Sequence, residues 1–234
     1  MAAYDLSIPL SEQAVRALRV GDTVRLSGVM VTGRDAAHKY MVETFLRTEP
    51  IPESERPLYE ELRRLLAGGV IYHCGPVVRQ LPPRPPLAEG PGVRAVLPRP
   101  PLGEGPGVRA WEFVAAGPTT SIREEVYEPE IIAHFGLRGV IGKGGMGPGT
   151  LRACQEHGAA YFHAVGGAAS LIADTVKEVL AVYKKDEFGV PEALWVIRAQ
   201  GFPVVVTMDS HGRSIHDEVE QPSKAALERL LAGS

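Results

Sequence analysis

Apolar and polar positions alternate over residues 22–32, DTVRLSGVMVT, with Val24, Leu26, Val29 and Val31 set among polar or small residues; the period predicts a strand, with a kink at Gly28. A short strand at 6–9 precedes it, then a helix opening at Ser11 with Glu12 and Gln13 in its first turn. Helices are predicted over 35–47, from Pro57 to Gly68 or Gly69, over 129–135 with Gly136 as its stop, and over 150–157. Buried strands fit 70–74, 111–116, 139–142 and 160–164. Leu171, Val176, Val179, Leu180 and Tyr183 keep near-helical spacing, which predicts the longest helix over 169–185. Two strands, 194–198 and 203–208, and a terminal helix from Pro222 complete the chain. Such alternation is an α/β or α+β arrangement with helices over a sheet.

One segment breaks the pattern. Residues 83–95, PRPPLAEGPGVRA, are repeated as PRPPLGEGPGVRA at 98–110. Within 81–110, fourteen residues are Pro or Gly and none is aromatic, so little can be buried to offset ordering the chain, and a disordered insertion loop is expected. A polyproline ligand is a lesser reading of its PxxP-like spelling.

The 234 residues suit one domain, 1–234, with the insertion inside it. A formal charge of −3 and no dense Lys/Arg block leave no basis for a nucleic-acid partner. No apolar run approaches the length of a bilayer span, and the first ten residues do not resemble a secretion signal, so a cytoplasmic chain with no membrane partner is expected. Cys74 and Cys154 are too few for a disulfide framework or a self-contained metal site, so any cluster must come from elsewhere.

Candidate chemistry gathers in three strand-to-loop junctions, residues 31–38, 115–124 and 140–149, where an α/β scaffold places ligand loops. Each brings one cation, Arg34, Arg123 or Lys143, and convergence of the three suits a small dicarboxylate. Taken singly, each is equally a solvated surface cation. Thr119 and Thr120 lie close before Arg123, where a hydroxyl serves either as a cap or as a base beside a guanidinium. The GKGG run lacks the spacing of a phosphate loop, although its amides remain a potential oxyanion cradle. His38 reads as a helix-face residue or salt-bridge partner, and His73 as a packed strand residue rather than half of a metal site. Asp209, Ser210 and His211 match a hydrolytic triad only in composition, because adjacent residues point apart; turn chemistry explains them equally well. Met146 and Met208 read as packing groups.

At these loops the sequence resembles the β subunit of class I fumarases and L(+)-tartrate dehydratases, equivalent to the C-terminal domain of single-chain class I fumarases. The resemblance runs through IPLSEQAVRALRVGDTVRLSG, GRDAAHKYM, IYHCGPVV, AAGPTTSIRE, VIGKGGM, YFHAVGGAASLIA and FPVVVTMDSHG, in the family's order and spacing. It implies a swivelling β/β/α domain and an α-subunit partner whose three cysteines hold a 4Fe-4S cluster. It also implies reversible hydration of fumarate to malate, or dehydration of tartrate, with this chain inactive alone. By motif, Arg34, Arg123 and Lys143 would contact substrate carboxylates and Thr119 would accept the carbon-bound proton, made acidic enough by Arg123. The sequence departs from the family in reading Arg123-Glu124 where Arg-Met is usual, which bears on substrate choice, and in the duplicated insertion. A non-catalytic binding or assembly subunit is the competing class.

Overall fold

The computed structural model describes residues 1–81 and 111–232, so the expectation of a disordered loop over 82–110 falls outside the described residues. Seven strands form one sheet in the order β1 (Ala3–Ser7), β2 (Thr23–Thr32), β3 (Val70–Tyr72), β6 (Gly139–Gly142), β7 (Ala160–His163), β9 (Leu194–Met208) and β8 (Val176–Tyr183). A further antiparallel pairing of β2 with β9 closes β2, β3, β6, β7 and β9 into a small barrel-like ring. The remaining pair, β4 (Val77–Gln80) and β5 (Trp111–Ala115), makes a separate antiparallel ribbon.

The parallel strands β3 and β6 are buried throughout, as expected where helices cover a sheet and no face meets water. Alternation sorts their side chains: Val70 and Tyr72 join one apolar cluster with Phe162, Phe202 and Trp195, whereas Ile71, Val140 and Tyr161 join a second. That second cluster lies beneath α2 (Asp35–Met41), α3 (Arg56–Leu66), α4 (Glu128–Phe135) and α5 (Pro148–His157). The expected stops and caps are present: the Ser11 hydroxyl accepts from the Ala14 amide 3.1 Å away at the start of α1 (Glu12–Ala17), and Gly136 closes α4 in the left-handed region. Gly28 is the kink. Its φ is 135°, the register slips between Leu26 and Gly28, and a Cβ there would stand 2.7 Å from the Ile8 carbonyl oxygen.

Three expectations are corrected. Residues 169–185 are not one helix but a short α6 (Ala169–Ala173) followed by strand β8. The register of β8 on β9 slips between Val176 and Glu178 and again between Val179 and Ala181, and these irregularities stretch a two-residue alternation into three-residue spacings that imitate a helix. Residues 194–208 form one strand rather than two; the AQG interruption is carried through because Gly201 adopts φ 66° and donates its amide to the Ser27 hydroxyl at 2.9 Å. The terminal helix, α8 (Ile215–Ala232), begins well before Pro222 and contains it. A one-turn helix, α7 (Lys185–Phe188), links β8 to β9. Among the described residues no helix is long and apolar enough to cross a membrane.

Candidate active site

The parallel strands β2, β3, β6 and β7 end nearly level, since Thr32 pairs with Tyr72, Tyr72 with Ile141 and Gly142 with His163. Each strand therefore delivers its following loop to the same edge, the usual address of a ligand site in a parallel sheet. Arg34 follows β2, His73 and Cys74 follow β3, and Lys143 follows β6. The GPTT loop after β5 is sewn onto that edge by main-chain hydrogen bonds. The Thr119 amide donates to His73 O at 2.7 Å, the Lys143 amide to Thr119 O at 3.1 Å, and the Ser121 amide to Lys143 O at 3.1 Å.

Thr119 and Lys143 are thus joined directly. The Thr119 hydroxyl oxygen is buried and has no hydrogen-bond partner among the described residues. Lys143 has no carboxylate partner among the described residues, and its stem lies over Gly166, where a Cβ would sit 3.5 Å from Cδ. The Arg34 guanidinium packs against Gly75, at which a Cβ would stand 2.6 Å from Nη1, and it pairs with Glu192 at 3.2 Å. Arg123 lies in the 3-10 turn Ser121–Val126 and reaches Asp35, the neighbour of Arg34, at 3.4 Å. All four sequence candidates therefore stand on the adjoining loops of one edge. Arg34 and Arg123 arrive already paired with carboxylates.

Behind these loops is a buried centre that the sequence reading resolved only in part. His38 and His73 both direct Nε2 at Glu128 Oε2, 2.9 and 3.0 Å away, and all three side chains are fully buried. His38 is the salt-bridge partner its position allowed. His73 is buried, as expected, but stands just past the end of β3 and is bonded through Nδ1 to the Ser121 hydroxyl at 2.8 Å. Burial opposes charge on all three groups. In His38 the Glu128 carboxylate outweighs it and raises the imidazole above its ordinary value, in His73 burial prevails and lowers it, and Glu128 is held down at about 2 by the two imidazoles. Glu124, also buried, is pushed up to about 7 by desolvation despite the attraction of His38. Glu128 carried no sequence signal beyond its place at the start of a helix.

At the helix end of the GKGGMGPG loop the amides are spoken for. Gly147 and Gly149 each donate to Glu125 at 2.8 Å, Thr150 donates its amide at 3.2 Å, and the Thr150 hydroxyl donates at 2.6 Å. The anion at this helix N-terminus is the chain's own carboxylate, so the amides of Gly147, Gly149 and Thr150 form no cradle for another anion. Asp209, Ser210 and His211 form a turn: Asp209 accepts the amides of Val20, His211 and Arg213, while the His211 ring faces Arg16 O and Arg19. Met146 and Met208 are core residues. Cys74 and Cys154 lie in the two different apolar clusters, and burial pushes the Cys74 thiol up to about 12 and the Cys154 thiol higher still. Two protonated thiols in separate cores do not fit a 4Fe-4S cluster.

Residues 2–91 and 103–219 match the family model described as the fumarase C-terminus. The chain is 43% identical over 225 residues to a putative fumarate hydratase class I of Geobacillus stearothermophilus, a match covering 96% of this chain and 35% of that protein. It is 33% identical to a putative L(+)-tartrate dehydratase subunit beta of Methanocaldococcus jannaschii, covering 95% of each, and 35% identical to the L(+)-tartrate dehydratase subunit beta of Escherichia coli K12, covering 90% and 85%. The chain thus spans about a third of the fumarate hydratase and most of either β subunit.

Proposed function

The chain belongs to the fumarase C-terminus family, and from that premise we propose that it is the β subunit of a hydro-lyase that interconverts fumarate and malate. An α subunit would complete the site and carry the 4Fe-4S cluster, for which this chain has no fitting thiols. The chain by itself would be inactive and would act as the family's swivelling domain.

The observation that carries the reading is Thr119: a buried hydroxyl without a partner, fixed by main-chain bonds to His73 and Lys143, at the edge that also receives Arg34 and Arg123. In the dehydration direction Thr119 Oγ1 takes the proton from the carbon next to a carboxylate. A threonine hydroxyl is a poor base alone, and the Arg123 cation lowers the cost of its alkoxide. Arg34, Arg123 and Lys143 neutralise the two carboxylates and the charge that builds on the one conjugated to the carbanion, the preorganised electrostatic contribution to the barrier. Two of these cations arrive paired with carboxylates, Arg34 with Glu192 and Arg123 with Asp35.

Anaerobic reconstitution with an α subunit, followed by the fumarate absorbance assay, tests this. Activity lost in Arg123→Ala supports the assignment, and full activity in that variant refutes it. A second reading, L(+)-tartrate dehydratase β subunit, is favoured by one observation: the chain matches those subunits over 95% and 85% of their own lengths. Relative rates on malate and tartrate decide between the two.

A further inference from the structure

The partners in the buried centre behind the loops give a consistent set of hydrogen-bond roles, with Glu128 Oε1 left without a partner among the described residues. Arg34 O can only accept, so His38 Nδ1, 2.9 Å away, donates to it; Glu128 Oε2 accepts from His38 Nε2, so both His38 nitrogens carry hydrogen. His73 Nε2 donates to the same oxygen, which leaves His73 Nδ1 as acceptor of the Ser121 hydroxyl, and Ser121 Oγ in turn accepts from the Tyr161 hydroxyl at 2.9 Å. One directional chain therefore runs from Tyr161 through Ser121, His73, Glu128 and His38 to the carbonyl of Arg34. His73 also accepts the Thr119 amide, and Ser121 donates its own amide to Lys143 O.

We propose that Glu128 is a positioning residue, whose Oε2, gripped by His38 and His73, clamps the loop carrying Arg34 to the paired loops carrying Thr119 and Lys143. The inference rests on the functional reading above for its kinetic arm only. Two imidazoles and a carboxylate are also a common metal-ligand combination. Here, however, both Nε2 atoms stand at hydrogen-bond distance, 2.9 and 3.0 Å, from the same carboxylate oxygen. The charged and titratable groups facing His38 are Glu128 from α4, His73 after β3 and Glu124 from the 3-10 turn, while Arg34 meets it only through its main-chain carbonyl. A doubly protonated His38 therefore balances a carboxylate that would otherwise stand buried without a counter-charge.

Long-range proton–nitrogen spectra of the full chain, labelled with 15N-histidine, read the protonation states directly. At neutral pH His38 is expected to show two protonated ring nitrogens and His73 one. In Glu128→Gln one His38 nitrogen loses its proton. In the anaerobic α–β complex the same variant lowers kcat about 10²-fold, the usual cost of a slightly misplaced site, and its alkaline limb moves acidward by about one pH unit or more. A role in stability alone would move the melting temperature and leave that limb in place. Ser121→Ala, which keeps the Glu128 charge, is expected to lower kcat with the His38 state unchanged, so the proposal does not depend on Glu128→Gln folding. A singly protonated wild-type His38, stoichiometric Zn²⁺ uptake that shifts both imidazoles, or an unmoved alkaline limb would each overturn it. A doubly protonated His38 in a complex without hydro-lyase turnover would count against the functional reading and not against the clamp.

Discussion

Glu124 sits beside the candidate site with its carboxyl buried, and desolvation moves its pKa from the ordinary range to about 7. The sign of its linkage follows. Between about pH 4.5 and 7 the folded chain keeps a proton that the unfolded chain has released, so stability falls as pH rises through that window. Glu124→Gln is neutral throughout and lacks this slope. Its melting temperature should exceed the wild type's by about 5–10 °C at pH 8 and come close to it at pH 5, as read by calorimetry. Thr119 gives the complementary case. Its Oγ1 makes no hydrogen bond among the described residues, so Thr119→Val should cost under about 0.5 kcal/mol of stability while removing about 10²-fold or more of turnover in the α–β complex. A chemical denaturation curve beside the absorbance assay separates the two effects.

Helix α5 shows how one side chain on another element decides what a loop can bind. Its opening turn presents the amides of Gly147, Gly149 and Thr150, and Glu125 from the preceding 3-10 turn fills that anion site. Glu125→Ala should cost about 1–3 kcal/mol by leaving these donors unpaired. Sulfate should then raise the melting temperature of the variant more than that of the wild type, because it refills the emptied cradle. Close packing at the neighbouring strand end is equally specific: a Cβ on Gly142 would fall 1.8 Å from the Ser121 hydroxyl, inside the hydrogen-bonded centre. Gly142→Ala should therefore destabilise by about 1–3 kcal/mol, visible as a lower denaturation midpoint. Elements whose pattern follows a simple period were legible in advance, among them β2 with its Gly28 kink, α4 with its Gly136 stop, and the parallel strands. β8 was not, because its irregular register on β9 erases the two-residue period that marks a strand.

Across the molecule, large apolar side chains lie exposed near the candidate site: Ile122 and Val126 in the turn that carries Arg123, and Val165 and Leu171 beside Gly166 and α6. Exposed apolar side chains beside a polar site are a common feature of surfaces that another chain covers. On the functional reading above, Leu171→Asp should leave the melting temperature nearly unchanged and weaken recovery of the α–β complex about tenfold or more, measured by anaerobic co-purification. The sequence by itself determined the alternation of strands and helices, the pairing of each candidate cation with a strand-to-loop junction, and the shortage of thiols, since these depend on local period and residue type. Only the tertiary structure decided that β2 and β9 close the sheet, that the junctions after β2 and β6 share one edge, and that Glu128 joins His38 to His73 across 90 and 55 residues of chain. Such contacts are set by long-range register and by the need to satisfy buried charge, neither of which leaves a periodic mark on the residues that make them.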